Sequence, residues 1–369
     1  MKHHLIFLLS VCLLLSPGMS LAATGAEMRG IHLPAGFHIS IFARVPMARE
    51  MAVDSASGRV FVTTRGQGLF TVLDRDGDGL ADETRRLLPV LKGVAGVALS
   101  GDKLFISEQD RVSRYDRDEL LRKGAAATAT VIFAGLPDER WHGSRYTRMG
   151  PEGWLYVANG SPCNICWPKG LEDSIIRLRP DGSRMQVYAR GIRNSVGMAF
   201  QPRTGELFFD DNNVDNMGDD VPPGELNRAS RSGQHFGFPY YAGGHVRHPD
   251  FARQEPPEVV FPVVEYQAHV APLGLSFYTG EQFPSDYRND LFVAQHGSWN
   301  RSSPVGYRVM RIHFNAKGLP VGKSVFASGW LQADGRVLGR PADVRMLPDG
   351  SLLVADDHAG VIYRIHYRH

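Results

Sequence analysis

An internal repeat is the feature of this sequence that most restricts its fold. Each copy has an aliphatic first strand, a turn containing Asp, Pro or Gly, and a second strand of alternating or continuous apolar residues. The first strands of the six copies are Met51–Val53, Val97–Leu99, Tyr146–Met149, Gly197–Phe200, Gly274–Phe277 and Val344–Met346. Their second strands are Val60–Val62, Leu104–Ile106, Leu155–Val157, Leu207–Phe209, Leu291–Val293 and Leu352–Val354. Copies spaced by about 45 to 85 residues are typical of β-propeller blades, which bury their faces only against neighbouring blades.

A third strand that places an Arg among apolar residues follows most copies. These third strands are Val112–Tyr115, Ile175–Leu178, Val309–Ile312 and Ile362–Ile365. The repeats therefore predict an all-β protein, a six-bladed β-propeller. An alternating strand over Gly36–Arg44 precedes the first copy, and we expect it to pair with Val361–His366. This N-terminal strand would close the last blade and remove the exposed sheet edges.

The remaining segments fit around this ring. The long insertions at residues 210–244 and 245–271 are predicted to be ordered loops over one face. A helix is predicted over Asp116–Ala127. We see no linker that would divide the mature chain, so residues 24–369 are predicted to form a single domain.

The N-terminus has the pattern of a secretory signal peptide. Lys2 precedes the apolar run Leu5–Leu15, and small residues follow, with cleavage expected near Ala22 or Ala23. A retained membrane anchor is the alternative, but the run is about half the length that a spanning helix needs. We predict a signal peptide at residues 1–23 and a periplasmic or secreted protein with no transmembrane segment after its removal. Lys and Arg total 41 against 39 acidic residues, so no overall field attracts nucleic acid.

Two cysteines remain in the mature chain, Cys163 and Cys166. In an oxidising compartment their spacing favours a short-loop disulfide, with free thiols or a redox pair as alternatives. Covalent haem is excluded because Trp167 follows the second Cys where His is required.

Polar residues concentrate in loops that connect predicted strands. His142, beside Gly143, could serve as a base near neutral pH, although a structural His in a turn would look the same. Arg193 and Asn194 could hold carboxylates or polarise a carbonyl oxygen, and a salt bridge between blades is the alternative. Two more polar loops are Gln295–Arg301 and Gly339–Asp343.

These motifs resemble the soluble aldose and glucose dehydrogenases that depend on pyrroloquinoline quinone (PQQ). The runs that carry the resemblance are His142–Arg145, Gly150–Val157, Gly191–Asn194, Glu225–Asn227 and Gly237–Pro239. The motifs Cys163–Cys166, His296–Arg301 and Gly339–Pro341 are more similar to the sorbosone dehydrogenase-like branch. The resemblance extends in order from about Leu33 to Tyr367.

The resemblance implies a role for each matching residue. His142 corresponds to the catalytic base, Arg193 to the group that polarises the quinone oxygen, and Asn194 to its neighbour at the cofactor. Arg340 corresponds to a ligand of a cofactor carboxylate. Backbone carbonyls near Asn212 and Asn213 correspond to ligands of a Ca²⁺ ion that would act as Lewis acid and template.

The sequence departs from this family at several positions. Ser161 stands near the position of the family's catalytic carboxylate, and its hydroxyl cannot orient an imidazolium as Asp does. Ala342 replaces the second arginine of the sixth-blade loop, and a glutamine expected near Val94–Val97 is missing. The fifth-blade lysine has no plain equivalent, and Arg301 is the candidate to replace it.

A second calcium site is predicted from a short acidic motif. Asp74, Asp76 and Asp78 stand at alternate positions with Gly77 and Gly79 among them, as in an EF-hand loop, but position twelve is Arg85 instead of Glu. A solvated hairpin turn explains the same residues.

Three functions fit the sequence. The leading one is an exported PQQ- and Ca²⁺-dependent dehydrogenase that oxidises an aldose or a sugar-derived aldehyde and passes electrons to an exported acceptor. The alternatives are a calcium-dependent lactonase-type hydrolase and a non-catalytic propeller that serves as a binding module.

Overall fold

The computed structural model describes Met28 and residues 30–368. Strands make up nearly all of the regular structure in these residues. The signal peptide predicted for residues 1–23 lies outside the described residues. The described residues contain one α-helix, α1 (Arg117–Lys123), and three short 3₁₀ turns, at Gly124–Ala126, Pro249–Phe251 and Ser285–Tyr287.

Six antiparallel meanders follow one another along the chain, and each forms one blade. Blade 1 contains β2 (Ala48–Val53), β3 (Val60–Thr64), β4 (Leu69–Leu73) and β5 (Glu83–Leu88). Blade 2 contains β6 (Gly96–Ser100), β7 (Lys103–Ser107), β8 (Val112–Asp116) and β9 (Ala129–Phe133). Blade 3 contains β10 (Thr147–Met149), β11 (Leu155–Asn159), β12 (Ser174–Leu178) and β13 (Met185–Arg190), with β17 (Gln234–His235) added in parallel to β13.

The second half of the ring repeats the pattern. Blade 4 contains β14 (Met198–Phe200), β15 (Leu207–Asp211), β16 (Gly224–Ala229) and β20 (Val264–Tyr266). Blade 5 contains β21 (Pro272–Phe277), β22 (Leu291–Gln295), β23 (Arg308–Phe314) and β24 (Pro320–Ala327). Blade 6 contains β25 (Pro341–Met346), β26 (Leu352–Asp356), β27 (Val361–Tyr367) and β1 (Phe37–Arg44), and a small hairpin is formed by β18 (Tyr241–Gly243) and β19 (Val246–Arg247). The predicted six-bladed propeller is confirmed.

The ring closes as the sequence predicts. β1 pairs antiparallel with β27, with Phe37 opposite Tyr367 and Ile39 opposite Ile365. The innermost strands contact one another in order around the ring, and β25 contacts β2 where the ring meets itself. An N-terminal strand therefore completes a blade begun by the C-terminus, and both ends of the described chain are held in one sheet.

The hydrophobic core is divided into clusters between neighbouring blades. One cluster joins blades 1 and 2 through Phe61 and Leu104, and another joins blades 6 and 1 through Leu353 and Val60. Each remaining pair of neighbours shares a cluster of the same kind. Because each blade is covered on both faces, its second strand is largely buried, and β3 is buried at every position, including Thr63 and Thr64.

Small residues allow the innermost strands to lie close together. A Cβ atom on Gly197 of blade 4 would overlap the Leu273 carbonyl oxygen of blade 5. A Cβ atom on Gly274 of blade 5 would in turn overlap Asp343 of blade 6. The ring can therefore reach this radius only with Gly at these positions.

Two local predictions require correction. Residues 210–271 are not only loops, since they contain β16 and β20, the third and fourth strands of blade 4. Arg228 in β16 has the position of the arginines in the other third strands, a signal that the sequence reading missed. The predicted helix is shorter than Asp116–Ala127, because Asp116 caps its start and Gly124, at φ 56°, ends it.

Candidate functional site

A cavity of about 550 Å³ opens at one end of the ring, where loops from all six blades converge. These loops connect either the last strand of one blade to the first strand of the next, or the second strand of a blade to its third. Six of the residues selected from the sequence line the cavity, namely His142, Arg193, Asn194, Asn212, Asn213 and Arg340. A cavity of this size is in the range that encloses small-molecule ligands.

Two hydrogen bonds fix the imidazole of His142, which lies on the loop between β9 and β10. Its Nδ1 is 2.8 Å from the Ser161 carbonyl oxygen. Because a carbonyl only accepts, Nδ1 carries the proton and Nε2 keeps its lone pair. Trp141 Nε1 donates to that Nε2 over 3.0 Å. The ring therefore has one defined tautomer, with its basic nitrogen beside the cavity.

The protonation state of His142 suits a base. Burial, followed by the positive charge of Arg193, lowers the pKa of His142 to about 3. The imidazole is therefore neutral at physiological pH, as proton abstraction requires, but a pKa this low makes it a weak base in the cofactor-free protein.

A main-chain carbonyl orients His142, in place of the carboxylate that the family resemblance implied. The residue has φ 49°, and a Cβ atom on Gly160 would come within 2.5 Å of the His142 Cβ, so Gly160 permits this close packing. The hydrogen bond of Nδ1 is accepted by the carbonyl of Ser161, which any residue type at this position would supply. The replacement of a carboxylate by Ser161 therefore leaves the imidazole oriented.

The guanidinium of Arg193 is buried and held by four hydrogen bonds. Nε donates to the Asn164 carbonyl over 2.9 Å, and Nη2 donates to Asn164 Oδ1 over 2.8 Å. Nη1 donates to the Asn212 carbonyl over 2.8 Å, and Nη2 donates to Asp215 Oδ2 over 2.9 Å. These bonds use four of the five N–H donors of a guanidinium, which leaves one Nη1 hydrogen for a ligand.

The backbone beside this guanidinium is fixed as well. Asp211, at the end of β15, accepts the backbone N–H of Arg193 over 2.8 Å and that of Asn194 over 2.6 Å. Asn194 in turn offers its carbonyl to the side chain of Asn212 over 3.1 Å. Arg193 and Asn194 therefore belong to one rigid network across the loops of blade 4.

Arg340 precedes the first strand of blade 6, and Arg193 precedes the first strand of blade 4. Its Nε donates to the His296 carbonyl over 3.1 Å, and its Nη2 donates to the Gly297 carbonyl over 2.6 Å. The guanidinium also lies 5.2 Å from the centre of the Tyr307 ring. Among the residues that the structure describes, no carboxylate forms an ion pair with Arg340. Its charge therefore remains available to an anionic ligand.

Blade 1 adds two arginines that the sequence reading missed, Arg49 and Arg65. Both face Asp357, at 2.8 Å from Arg49 and 3.7 Å from Arg65. Arg49 is the second residue of β2, so it does not share the loop position of Arg193 and Arg340.

His296 forms a second histidine site in the cavity wall. Its Nε2 lies 2.7 Å from Asp357 Oδ1. Burial lowers the pKa of His296 to about 4. Burial opposes ionisation of Asp357, but the hydrogen bond from His296 and the charge of Arg49 together hold the pKa of that carboxyl below its usual range. The pair therefore gives the arginines of blade 1 a fixed negative partner.

Several carboxyl groups lie buried behind the cavity wall. Burial raises the pKa of Asp173 to about 8. Asp211 and Glu225 stand opposite each other on β15 and β16, and burial raises the pKa of both, to about 7 and about 8. Such facing carboxyls favour the protonated form of one member of the pair. None of the three lines the cavity.

The predicted metal ligands fall into two separate places. Asn212 and Asn213 line the cavity, but the Asn212 carbonyl already accepts a hydrogen bond from Arg193. The ligand atoms of Asp74, Asp76 and Asp78 lie within 4.8 Å of one another. These three lie between β4 and β5, at the opposite end of the blade from the cavity loops. Calcium binding by this cluster stays a prediction.

Arg301 is not brought to the cavity. It contacts the Asp219 carbonyl, and its Nη2 lies 2.9 Å from Asp220 Oδ1. The guanidinium therefore connects two loops, and Arg301 is not among the residues that line the cavity.

Ala342, another position at which the sequence departs from the family, is buried in the apolar cluster between blades. A disulfide joins Cys163 and Cys166, in the loop between β11 and β12 on the cavity face.

Comparisons with known proteins agree with this architecture. The family model described as TrAA12-like matches residues 31–240 and 250–368. A protein of Borreliella burgdorferi, described as an uncharacterized protein, is 32% identical over 353 residues, which covers 91% of each chain. In the described residues, no helix has the length and apolar character needed to cross a membrane.

Three solved structures share the fold at low identity. The holo PQQ domain of pyranose dehydrogenase from Coprinopsis cinerea is 20% identical with a TM-score of 0.76, over 91% of this chain and 97% of that one. The calcium structure of the Trichoderma reesei family AA12 enzyme is 19% identical with a TM-score of 0.77, over 92% and 97%. The apo soluble aldose sugar dehydrogenase of Escherichia coli is 18% identical with a TM-score of 0.64, over 90% and 100%.

A pyranose dehydrogenase PQQ domain and a soluble aldose sugar dehydrogenase are thus among the structures that share this fold, in keeping with the resemblance to sugar dehydrogenases. The sorbosone dehydrogenase-like branch is not supported by these matches. With the family model matched over nearly the whole described chain, the protein belongs to the TrAA12-like family.

Proposed function

We propose that this protein is an exported PQQ-dependent dehydrogenase that oxidises an aldose or a sugar-derived aldehyde. Membership of the TrAA12-like family and the likeness to a holo PQQ domain support this choice over a binding module. The calcium structure of a relative supports Ca²⁺ as a further requirement.

The charge of the cavity is the observation that carries the proposal. Four guanidinium groups line it, from Arg49, Arg65, Arg193 and Arg340. Asp215 pairs with Arg193, and Asp357, which does not line the cavity, pairs with Arg49 and Arg65, so the positive groups still outnumber the carboxylates. An excess of fixed positive charge at the end of a closed ring favours a ligand with several negative charges. PQQ carries three carboxyl groups, so the residues present fit this cofactor.

Individual arginines have distinct tasks in this proposal. Arg340, which forms no ion pair within the described residues, would bind one carboxylate, and Arg65, with half of its side chain exposed, would bind another. Two guanidiniums from blade 1 would compensate for Ala342, where the resemblance implied a second arginine of the sixth blade. The remaining Nη1 hydrogen of Arg193 would point to a quinone oxygen.

His142 supplies the base. Bound PQQ would accept the two electrons of the substrate carbon as a hydride. His142 Nε2 would take the proton of the substrate hydroxyl, while the Ser161 carbonyl keeps Nδ1–H in place. Trp141 must first withdraw its indole N–H from that nitrogen. Negative charge on a bound ligand would offset Arg193 and raise the pKa of His142 toward a useful value.

Calcium fits the cavity less well than the cofactor does. An ion at the Asn212 carbonyl would share that oxygen with the guanidinium of Arg193. We therefore derive no step through Ca²⁺, and its requirement rests on the likeness to relatives.

Reconstitution tests the proposal directly. Purified protein is titrated with PQQ, with and without CaCl₂, while tryptophan fluorescence is followed, and reduction of a redox dye is then measured with a panel of aldoses. We expect saturable PQQ binding and sugar-dependent dye reduction. Absence of both would refute the proposal, and hydrolysis of sugar lactones without PQQ would favour the lactonase alternative.

His142→Ala tests the base separately from the cofactor. Turnover should fall by about 10² to 10⁴-fold, while PQQ binding stays within about threefold because none of the four guanidiniums is changed. Undiminished turnover would remove His142 from the role of base.

A further inference from the structure

The disulfide between Cys163 and Cys166 closes a loop that holds Arg193 in place. Asn164 lies inside this loop and contributes two of the four acceptors of the Arg193 guanidinium, its carbonyl to Nε and its Oδ1 to Nη2. Nε and Nη2 lie on one edge of the planar group. The loop therefore fixes the plane of the guanidinium as well as its position.

The same asparagine is itself held from blade 4. Asn164 Nδ2 donates to the Asp215 carbonyl over 3.1 Å, and the Asp215 N–H donates to Asn164 Oδ1 over 2.9 Å. Asp215 also forms the ion pair with Arg193 at 2.9 Å. Asn164, Asp215 and Arg193 form a closed triangle that joins the loop of blade 3 to two loops of blade 4.

The loop is also connected to the histidine. Ser161 Oγ lies 3.3 Å from Cys163 Sγ, and the Ser161 carbonyl is the partner of His142 Nδ1. The Ser161 N–H donates to the Arg193 carbonyl over 2.7 Å. Residues 161–166 thus contact both groups to which the proposed function assigns chemistry.

We propose that the Cys163–Cys166 loop is a positioning element for Arg193, so that the redox state of this cysteine pair controls the affinity of the cavity for PQQ. The proposal rests on the proposed function for the identity of the ligand. Both cysteines are partly exposed on the cavity face, so a small dithiol can reach them. The dithiol would give two electrons and two protons to the S–S bond, form two thiols on the protein, and become a disulfide itself.

Opening the loop should loosen Arg193 without unfolding the blade. The crosslink limits the conformations of the residues between the two cysteines, and its loss restores that freedom to Asn164. Arg193 would keep the two acceptors that come from its own blade, the Asn212 carbonyl and Asp215 Oδ2. A purely structural disulfide would instead change only the stability of the fold.

Chemical labelling measures the position of Arg193 without any cofactor. The oxidised protein, the dithiol-treated protein, Cys163→Ser/Cys166→Ser and Asn164→Ala are treated with phenylglyoxal and mapped by mass spectrometry. Arg193 is 2% exposed and should react slowly in the oxidised protein. Its rate should rise by about tenfold in the other three forms, the equivalent of one charged hydrogen bond. Arg65, whose side chain is 49% exposed, is the internal reference and should react equally in all forms.

Matched controls separate positioning from general loosening. Asn164→Asp keeps both acceptor oxygens for Arg193 but loses the Nδ2 donor to the Asp215 carbonyl, so its labelling should be slower than that of Asn164→Ala. Dithiol should have no effect on the double serine variant. Because Asn164→Ala retains the disulfide, its labelling shows whether Asn164 positions Arg193 even if the serine variant does not fold. Equal labelling of Arg193 in every form would overturn the inference.

A PQQ titration of the same forms tests the second half of the inference. The dissociation constant should rise by about tenfold on dithiol treatment and in the double serine variant. Faster labelling with unchanged PQQ affinity would contradict control of the cofactor site. If the oxidised protein binds no PQQ, the proposed function fails, and the labelling experiment still decides whether the loop positions Arg193.

Discussion

The pKa of His142 gives the sharpest test of the site geometry. Burial and the charge of Arg193 lower it to about 3 from the ordinary value of 6.5. At pH 5 the folded protein should therefore carry a proton on about 1% of this imidazole, whereas an ordinary histidine would be protonated in about 97% of molecules. The cofactor-free protein is the correct sample, because a bound anion would raise the pKa.

The same shift has a consequence for stability. Above pH 6.5 the imidazole is neutral in both folded and unfolded chains, and its contribution to stability is complete. Between pH 6.5 and 3 the unfolded chain binds a proton that the folded site refuses, so stability is lost as the pH falls. The limit is 1.36 kcal/mol per pH unit, and solvent screening reduces it to about 1 kcal/mol per unit for this partly buried group.

Two measurements check this reasoning. Protein labelled with ¹³C-histidine is titrated by NMR, with His142 assigned by its absence from His142→Gln. The free energies of unfolding of the wild type and His142→Gln are compared by urea denaturation at pH 7 and pH 5. We expect no titration of His142 above pH 5, and a loss of about 1 to 2 kcal/mol by the wild type relative to the variant. A midpoint near 6.5, with no relative change in stability, would refute the assigned burial and the influence of Arg193.

Three further predictions concern single substitutions. Asp173 has its pKa raised to about 8 by burial, so between pH 4 and 8 the folded protein keeps a proton that the unfolded chain releases, and stability falls as the pH rises. Asp173→Asn should therefore gain stability relative to the wild type from pH 5 to pH 8 in urea denaturation, and a parallel dependence would contradict the shift. Gly197→Ala should cost about 1 to 3 kcal/mol in the same assay, because its Cβ atom meets the Leu273 carbonyl, and a neutral effect would show that the strands can separate. Arg340→Lys should weaken PQQ binding in the fluorescence titration by about tenfold, because an ammonium cannot make the same forked contact. Unaltered affinity would remove Arg340 from the cofactor site.

Sequence reasoning selected residues that line one cavity where a residue type coincided with a position in the repeat. Arg193 and Arg340 precede the first strands of their blades, and loops at that position all reach the same end of a propeller. The same rule does not extend to Arg49, which lies within β2 and not in the loop before it.

Other features could not be read from the sequence because they depend on contacts between distant segments. Asn164 bonds to Arg193, 29 positions away, and His296 bonds to Asp357, 61 positions away. The Ser161 carbonyl holds His142, and the residue type at position 161 carries no information about a main-chain oxygen. The sequence also offered Arg301 as a cofactor ligand, whereas its loop turns it toward Asp219 and Asp220.

The sequence by itself determined the six-bladed ring and its closing strand. Apolar strands at a regular spacing can be buried only by stacking blade against blade, and an alternating N-terminal strand has its partner in the last blade. Only the tertiary structure decided which polar groups meet over the ring, which acids lose their charge, and which guanidinium remains unpaired. The physical reason is that burial and hydrogen bonding depend on distances across the ring, and the order of residues along one chain does not specify them.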